Sequence, residues 1–365
     1  MAETKKKGRL FDLPETKGIF QLKGIVSGTE KENFYRELKT KSNKDMRIIN
    51  FGVSYAEGST LYVNLQGMEQ DNVYFSKKAE KKGDKPETVK IPWTDRFSYN
   101  REGFRLIGKN IGVKKKVDEN GKLVNDRKIM TDFDACKEVH ENLKDDVSVY
   151  IKGNLDYSSF LDDNGNKKTS TKLIPNQISL CTDVNFKDDE FKQQNDFNQI
   201  IIFMGIEQEK ENDKPTGRFI VLAKIVTYSN IEDVEFIIEN KDLAMKFKKS
   251  LKPYNAIKVS GHMTATIQTE TVVDDDNWGE EDAMEKVSAP AKREFIITGA
   301  KGSSIDKDLY TEENVNEAIA KINRANKAEN DFGDDDWGDV DLDSDDDDEP
   351  WEKLMNFRKI KIRRN

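Results

Sequence analysis

With 365 residues, of which 35% are apolar and 35% charged, the chain is long enough for two domains plus accessory segments and too polar to be packed throughout. It has no run of ~18 apolar residues, no apolar leader after the Lys-rich Met1–Leu10, and only two, well-separated cysteines, Cys136 and Cys181; a membrane span, a secretion signal, a disulfide framework and a zinc site are therefore not expected, and a reducing cytoplasm is. The net charge of -9 is segregated: Glu329–Glu352 holds fourteen acids and no base, Asp274–Glu285 holds seven acids, and the remaining body is net basic apart from the six bases of Lys353–Asn365.

Period-two alternation predicts strands over Phe20–Gly28, Met46–Tyr55 and Thr60–Gln66, with Ile49, Phe51, Val53 and Tyr55 on one face of the second and Tyr62, Asn64 and Gln66 outward on the third. The third strand stops at Gly67, and Asp71–Tyr74 is expected to extend the sheet into a basic insertion, residues 67–130. Helical spacing of Phe133, Cys136, Val139 and Leu143 predicts a short helix over Asp132–Leu143. Strands follow at Val147–Leu155, with Tyr150, Lys152 and Asn154 outward, and, after a turn at Asp162–Asn166, at Thr169–Leu180. The same order then repeats: strands Asn198–Gln208, Gly217–Tyr228 and Val234–Glu239, helix Lys241–Leu251, strands Ala256–Gln268 and Lys292–Ala300. Thr311 caps a further helix to Ala325, whose stripe of Val315, Ala318, Ile319 and Ile322 is expected to pack on the second domain.

Three strands, a helix and two more strands is the order of an OB-fold. The chain is accordingly read as mainly β. Two OB-fold-like five-stranded barrels, each with a short helix between strands 3 and 4, occupy 18–190 and 198–303. An arm, 1–17, precedes them; a helix, 304–328, and a disordered acidic tail with a basic end, 329–365, follow. Gly153 and Gly261, in the fourth strands, are expected to permit the bend that closes each barrel. A generic antiparallel α+β domain is the alternative for either half.

Catalysis is not expected. There are two histidines, His140 and His262, neither in a motif, and no glycine-rich phosphate loop; no cofactor or metal is implied. Asp274, Asp276, Gly279 and Glu285 fall at EF-hand positions, but Trp278 stands at position five, so 271–290 is read as a mobile acidic loop. The window Lys77–Lys116 is different in kind, with thirteen Lys or Arg against five Asp or Glu and with Trp93, Phe97, Tyr99 and Phe104 among them. Cations that track phosphates and rings that stack on unpaired bases suit single-stranded nucleic acid. The expected stacking platforms are Tyr62, Trp93 and Tyr150, then Phe97 and Tyr99. The expected phosphate contacts are Lys90, Arg96, Arg101, Arg105, Lys114, Lys115, Lys116 and Lys152, with Lys224, Lys258 and His262 in the second half.

The acidic segment ends Asp345-Asp346-Asp347-Asp348-Glu349-Pro350-Trp351. A basic OB-type body followed by acids, a proline and an aromatic resembles the bacterial and phage single-stranded-DNA-binding proteins. That resemblance implies sequence-independent binding of single-stranded DNA in replication, recombination and repair, in the host cytoplasm if the chain is phage-encoded. It also implies a tail that docks partner proteins, with Trp351 as anchor, Pro350 stiffening it, and Asp345, Asp346, Asp347 and Asp348 steering. In this chain Glu352–Asn365 continues past the motif. The alternative from another class is a protein-interaction factor, such as a helicase loader, a recombination mediator or a DNA-mimicking inhibitor, whose acids are the working surface.

Overall fold

The alternation of apolar and polar residues makes the protein mainly β, with three α-helices among the described residues. The computed structural model describes residues 9–40, 42–79, 81, 83–161, 165, 167–266 and 292–331. The acidic loop at 271–290, most of the turn at Asp162–Asn166 and the tail with its docking motif, Asp345 to Asp348, Pro350 and Trp351, lie outside them. The chain divides into two units, Gly18–Asp156 with Lys172–Phe197, and Met1–Lys17 with Tyr157–Thr171 and Asn198–Asn365.

In the first unit, β1 (Gly18–Ser27), β2 (Tyr35–Lys39), β3 (Asp45–Ala56) and β4 (Ser59–Met68) precede the basic insertion, and α1 (Asp132–Asn142), β12 (Ser148–Leu161) and β13 (Lys167–Leu180) follow it. β1 pairs antiparallel with β3 and β12, and β3 with β4. β4 meets β13 in parallel at Val63 and Leu173, and β13 pairs with β12, so the pairings return to β1. Ile49, Phe51, Val53, Leu61, Val63 and Leu65 are buried inside this circuit, as their alternation requires. Thr131 caps α1 by accepting from the Asp134 amide, and the helix buries Phe133, Ala135, Cys136 and Val139.

Cys136 is fully buried, and burial pushes its thiol up to about 12. Near pH 8 almost none of it is thiolate, the reactive form. In the folded protein an aromatic disulfide reagent is therefore expected to modify Cys181 alone, and Cys136 only after denaturation; labelling of both thiols at equal rates would contradict this packing.

The insertion departs from the sequence reading. Asp71–Tyr74 does not extend the main sheet. Instead β5 (Asn72–Lys77) is the centre of a separate three-stranded sheet, between β6 (Glu87–Pro92) and β7 (Phe104–Leu106). β8 (Lys109–Gly112) then runs parallel to β13, β9 (Lys115–Val117) and β10 (Leu123–Asn125) form a hairpin, and β11 (Lys128–Met130) pairs with β8.

The second unit repeats the circuit with β14 (Gln194–Glu211), β15 (Lys214–Val226), β16 (Ile231–Ile238), β17 (Asn255–Thr266) and β18 (Lys292–Asp306). β14, β15 and β16 pair in turn, β16 meets β18 in parallel at Ile237 and Ile296, and β17 pairs with both β18 and β14. α2 (Lys241–Ser250), capped by Asn240, again lies between the third and fourth strands of the circuit.

Residues 9–17, read from sequence as part of a separate arm, belong to this unit. Thr16 exchanges bonds with Val226, and the buried Gln199 amide donates to the Thr16 carbonyl at 2.8 Å. Phe11 and Leu13 share a buried cluster with Tyr310 and with Val315, Ala318 and Ile322 of α3 (Glu312–Asp331). Among the described residues no helix is long and apolar enough to cross a membrane.

Candidate nucleic-acid interface

The insertion's small sheet sorts its side chains by register. Val73 and Phe75 of β5 are buried, so Tyr74 and Ser76 point the other way. Tyr74 is opposite Lys90 on β6, and Ser76 is opposite Arg105 on β7. Directly opposed residues share a face, so an exposed tyrosine lies between two exposed cations. Tyr74 was not among the residues expected from sequence; the alternation in Asn72–Lys77 is the signal that points to it.

Beyond β6 a 3-10 turn, Trp93–Asp95, leads into Arg96 and Phe97. Arg96 is a correction to the sequence reading. Its guanidinium donates to both carboxylate oxygens of Asp134 in the first turn of α1, at 2.8 and 3.2 Å, and to the Trp93 carbonyl at 2.9 Å. With only 15% of the side chain exposed, it is committed to holding the turn against α1 rather than to phosphate. Removing either partner would strand the other charge. The guanidinium also lies 4.2 Å from the centroids of both the Trp93 and the Phe97 ring.

The rings divide accordingly. Trp93 is half-buried, edge-on to Phe133 at 5.9 Å with Arg96 on its face, and Tyr99 is half-buried against Phe75 at 4.7 Å; neither is a free platform. Phe97 is 73% exposed. Beside it opens a cavity of about 320 Å³ walled by Phe75, Phe97, Leu106, Ile129 and Met130, with Arg105, Arg96 and Asp134 supplying its polar edge.

Among the other expected cations, Lys90, Arg105, Lys115 and Lys152 are exposed. Arg101 is exposed too, 3.7 Å from Glu87 and over the Phe104 ring. Lys114 faces Glu138 at 3.4 Å and Lys116 faces Asp126 at 3.0 Å; such solvent-facing pairs are weak and exchange readily.

The outer surface of the strand circuit holds the remaining expected residues, and it does not gather them. Tyr62 is 57% exposed on β4, while Tyr150 and Lys152 lie on β12, opposite Lys23 and Gln21 of β1. β4 and β12 are not neighbours in the circuit. Tyr150 is half-buried, its hydroxyl donates to Gln21 at 2.9 Å, and burial raises its pKa.

In the second unit Lys224 is another correction, since its ammonium is held by Asp233 at 2.5 Å. Lys258 is exposed and His262 half-buried on β17. Among the described residues no group of three His, Cys, Asp or Glu side chains is placed to hold a metal ion.

A family model described as YorF matches residues 77–335. Among solved structures, a deletion mutant of the single-stranded DNA binding protein from Thermus aquaticus is similar over 79% of this chain and 94% of its own, at 9% identity and a TM-score of 0.37. The wild-type protein is similar over 79% and 93%, at 8% identity and 0.36. No curated protein matches.

Proposed function

This chain belongs to the YorF family, and we propose that it binds single-stranded DNA without sequence preference, as a non-enzymatic protein of replication, recombination and repair. Each unit is read as an OB-type barrel, because its pairings run 1-2-3-5-4 and return to 1 with the helix between strands 3 and 4. The observation that carries the reading is the insertion, which exposes an open ring, Phe97, a tyrosine, Tyr74, on the same sheet face as Lys90, and the further cations Arg101 and Arg105. Rings tolerate any base, and cations bind any phosphate. The acids of the loop and of the tail up to Glu352 offer nothing to a polyanion and are assigned to partner proteins, with Trp351 and Pro350 docking and Asp345 to Asp348 steering.

Titration with poly(dT) is expected to quench tryptophan fluorescence at low salt and to lose that signal at high salt. A labelled oligonucleotide is expected to stay intact with added divalent metal. Absence of binding together with capture of a basic nuclease or polymerase would establish the DNA-mimic reading instead, and turnover of the oligonucleotide would make the protein an enzyme.

The tail's charge adds a regulatory expectation. Glu329–Glu352 carries fourteen acids and competes with DNA for the same cations when screening is weak. Deleting 329–365 is therefore expected to tighten binding several-fold near 50 mM salt, with the difference vanishing toward ~1 M. Unchanged or weaker binding at every salt concentration would remove the competition.

A further inference from the structure

We infer that the cavity beside Phe97 seats one unpaired nucleobase, which stacks on the open side of that ring while Arg105 takes an adjoining phosphate. The inference rests on the proposed binding of single-stranded DNA and assigns that binding a discrete subsite in the insertion, away from the outer face of the strand circuit.

Several observations converge on this occupant. Phe97 is 73% exposed although its neighbour Arg96 lies 4.2 Å from the ring centroid, so the guanidinium occupies one side and the other stays open. Arg96 is itself held by the Asp134 carboxylate at 2.8 Å, so the ring is presented already ordered, and stacking on it loses little side-chain freedom. The walls are apolar, and Ile129 among them is 42% exposed. An apolar seat with the exposed cation Arg105 at its edge fits a partner that is flat, apolar on its faces and anionic at its edge, as a nucleotide is.

The polar edge agrees with a base. One carboxylate oxygen of Asp134 accepts from Arg96 Nε and from the Thr131 hydroxyl, whereas the other accepts only from Arg96 Nη2 among the described residues. A carboxylate oxygen has room for two donors. The second oxygen can therefore accept an N–H from a base edge, and every base carries one. The pair with Arg96 keeps this corner neutral, so a base displaces no counter-charge on entering.

The test uses the full chain, methyl-labelled at Met and Ile, with oligothymidylate of about 15 nucleotides, within the ~4–16 that one barrel spans, and an abasic phosphodiester of equal length. Binding is followed by anisotropy, and the Met130 and Ile129 methyl resonances by NMR. Oligothymidylate is expected to shift both resonances through the base's ring current; the abasic strand is expected to bind more weakly and leave them in place. Phe97→Ala is expected to weaken oligothymidylate binding roughly 5- to 150-fold, one base–ring stack converted at tenfold per 1.4 kcal/mol, with the abasic affinity and the salt slope unchanged. Because Phe97 is exposed, the variant keeps its thermal midpoint.

If oligothymidylate binds with its usual salt dependence while neither methyl moves and Phe97→Ala costs less than twofold, the seat is overturned and the binding function stands. If neither strand binds, both fail. If Phe97→Ala instead abolishes binding of an acidic, aromatic-ended peptide and spares DNA, the cavity serves a protein and the assignment is wrong.

Discussion

Alanine at Gly153 or at Gly261 is expected to destabilise the protein by about 3 kcal/mol, the upper end of the usual cost of forcing extra atoms into a packed interior. A β-carbon at Gly153 would lie 2.0 Å from the carbonyl oxygen of Ile174 on β13, and one at Gly261 would lie 1.8 Å from that of Ile296 on β18. Those atoms are backbone, so relief requires the two strands to part and not merely a side chain to turn. Both glycines occupy the fourth strand of their circuit, and both face the fifth. The strand spacing that lets each circuit return to its first strand thus depends on a missing methyl group in each half. Against a total stability of ~5–15 kcal/mol, such a loss moves the denaturant midpoint visibly. Gly205→Ala is the control, because a β-carbon there meets only the Leu222 side chain, at 3.9 Å. Circular dichroism through a urea titration would decide; a change below ~1 kcal/mol at both positions would show that strand spacing here does not depend on glycine.

The regular elements were legible because their signal is local. Strands such as Met46–Tyr55 and helices such as Asp132–Leu143 announce themselves by the period of their own apolar residues, and the structure places β3 at Asp45–Ala56 and α1 at Asp132–Asn142. The insertion was not legible for the opposite reason. β6 and β7 are short, β6 ends in Pro92, and although β5 alternates, nothing local to it says that it pairs with these two rather than with the main sheet. Side-chain roles failed where the deciding partner is distant in sequence. Nothing in Pro92–Asn100 announces that Arg96 is committed to Asp134, or Tyr99 to Phe75, and nothing near Lys224 marks Asp233, on the opposing strand, as its partner. Phe11 and Leu13 are a milder case: their spacing is strand-like, but the core they join includes α3, at the far end of the described chain. Phe97, Tyr62, Lys90 and Arg105 are exposed, and no partner distant in sequence holds them among the described residues.

Replacing Lys90, Arg105 and Lys115 together by glutamine is expected to flatten the salt dependence of binding to poly(dT) by about 2 in the slope of log K against log salt, at ~0.7 per neutralised phosphate on a single strand. The same relation gives a loss of roughly 500-fold near 50 mM salt and roughly 30-fold near 200 mM, shrinking toward 1 M. These three are chosen because they are exposed and make no salt bridge among the described residues, so their removal breaks nothing in the fold. Lys224→Gln tests the assignment from the other side. Its ammonium is already taken by Asp233 at 2.5 Å, and the variant is expected to leave the slope where it was. The comparison separates a surface that binds by charge from one that merely carries charge. If the triple variant kept the full slope, the insertion would not be where phosphates lie. If Lys224→Gln lowered the slope as much as any one of the three, the second unit would have to share the strand. A flattened slope for the triple variant with an unchanged one for Lys224→Gln locates the polyanion on the insertion, and the Phe97 ring then distinguishes a strand held by its backbone alone from one whose bases are seated.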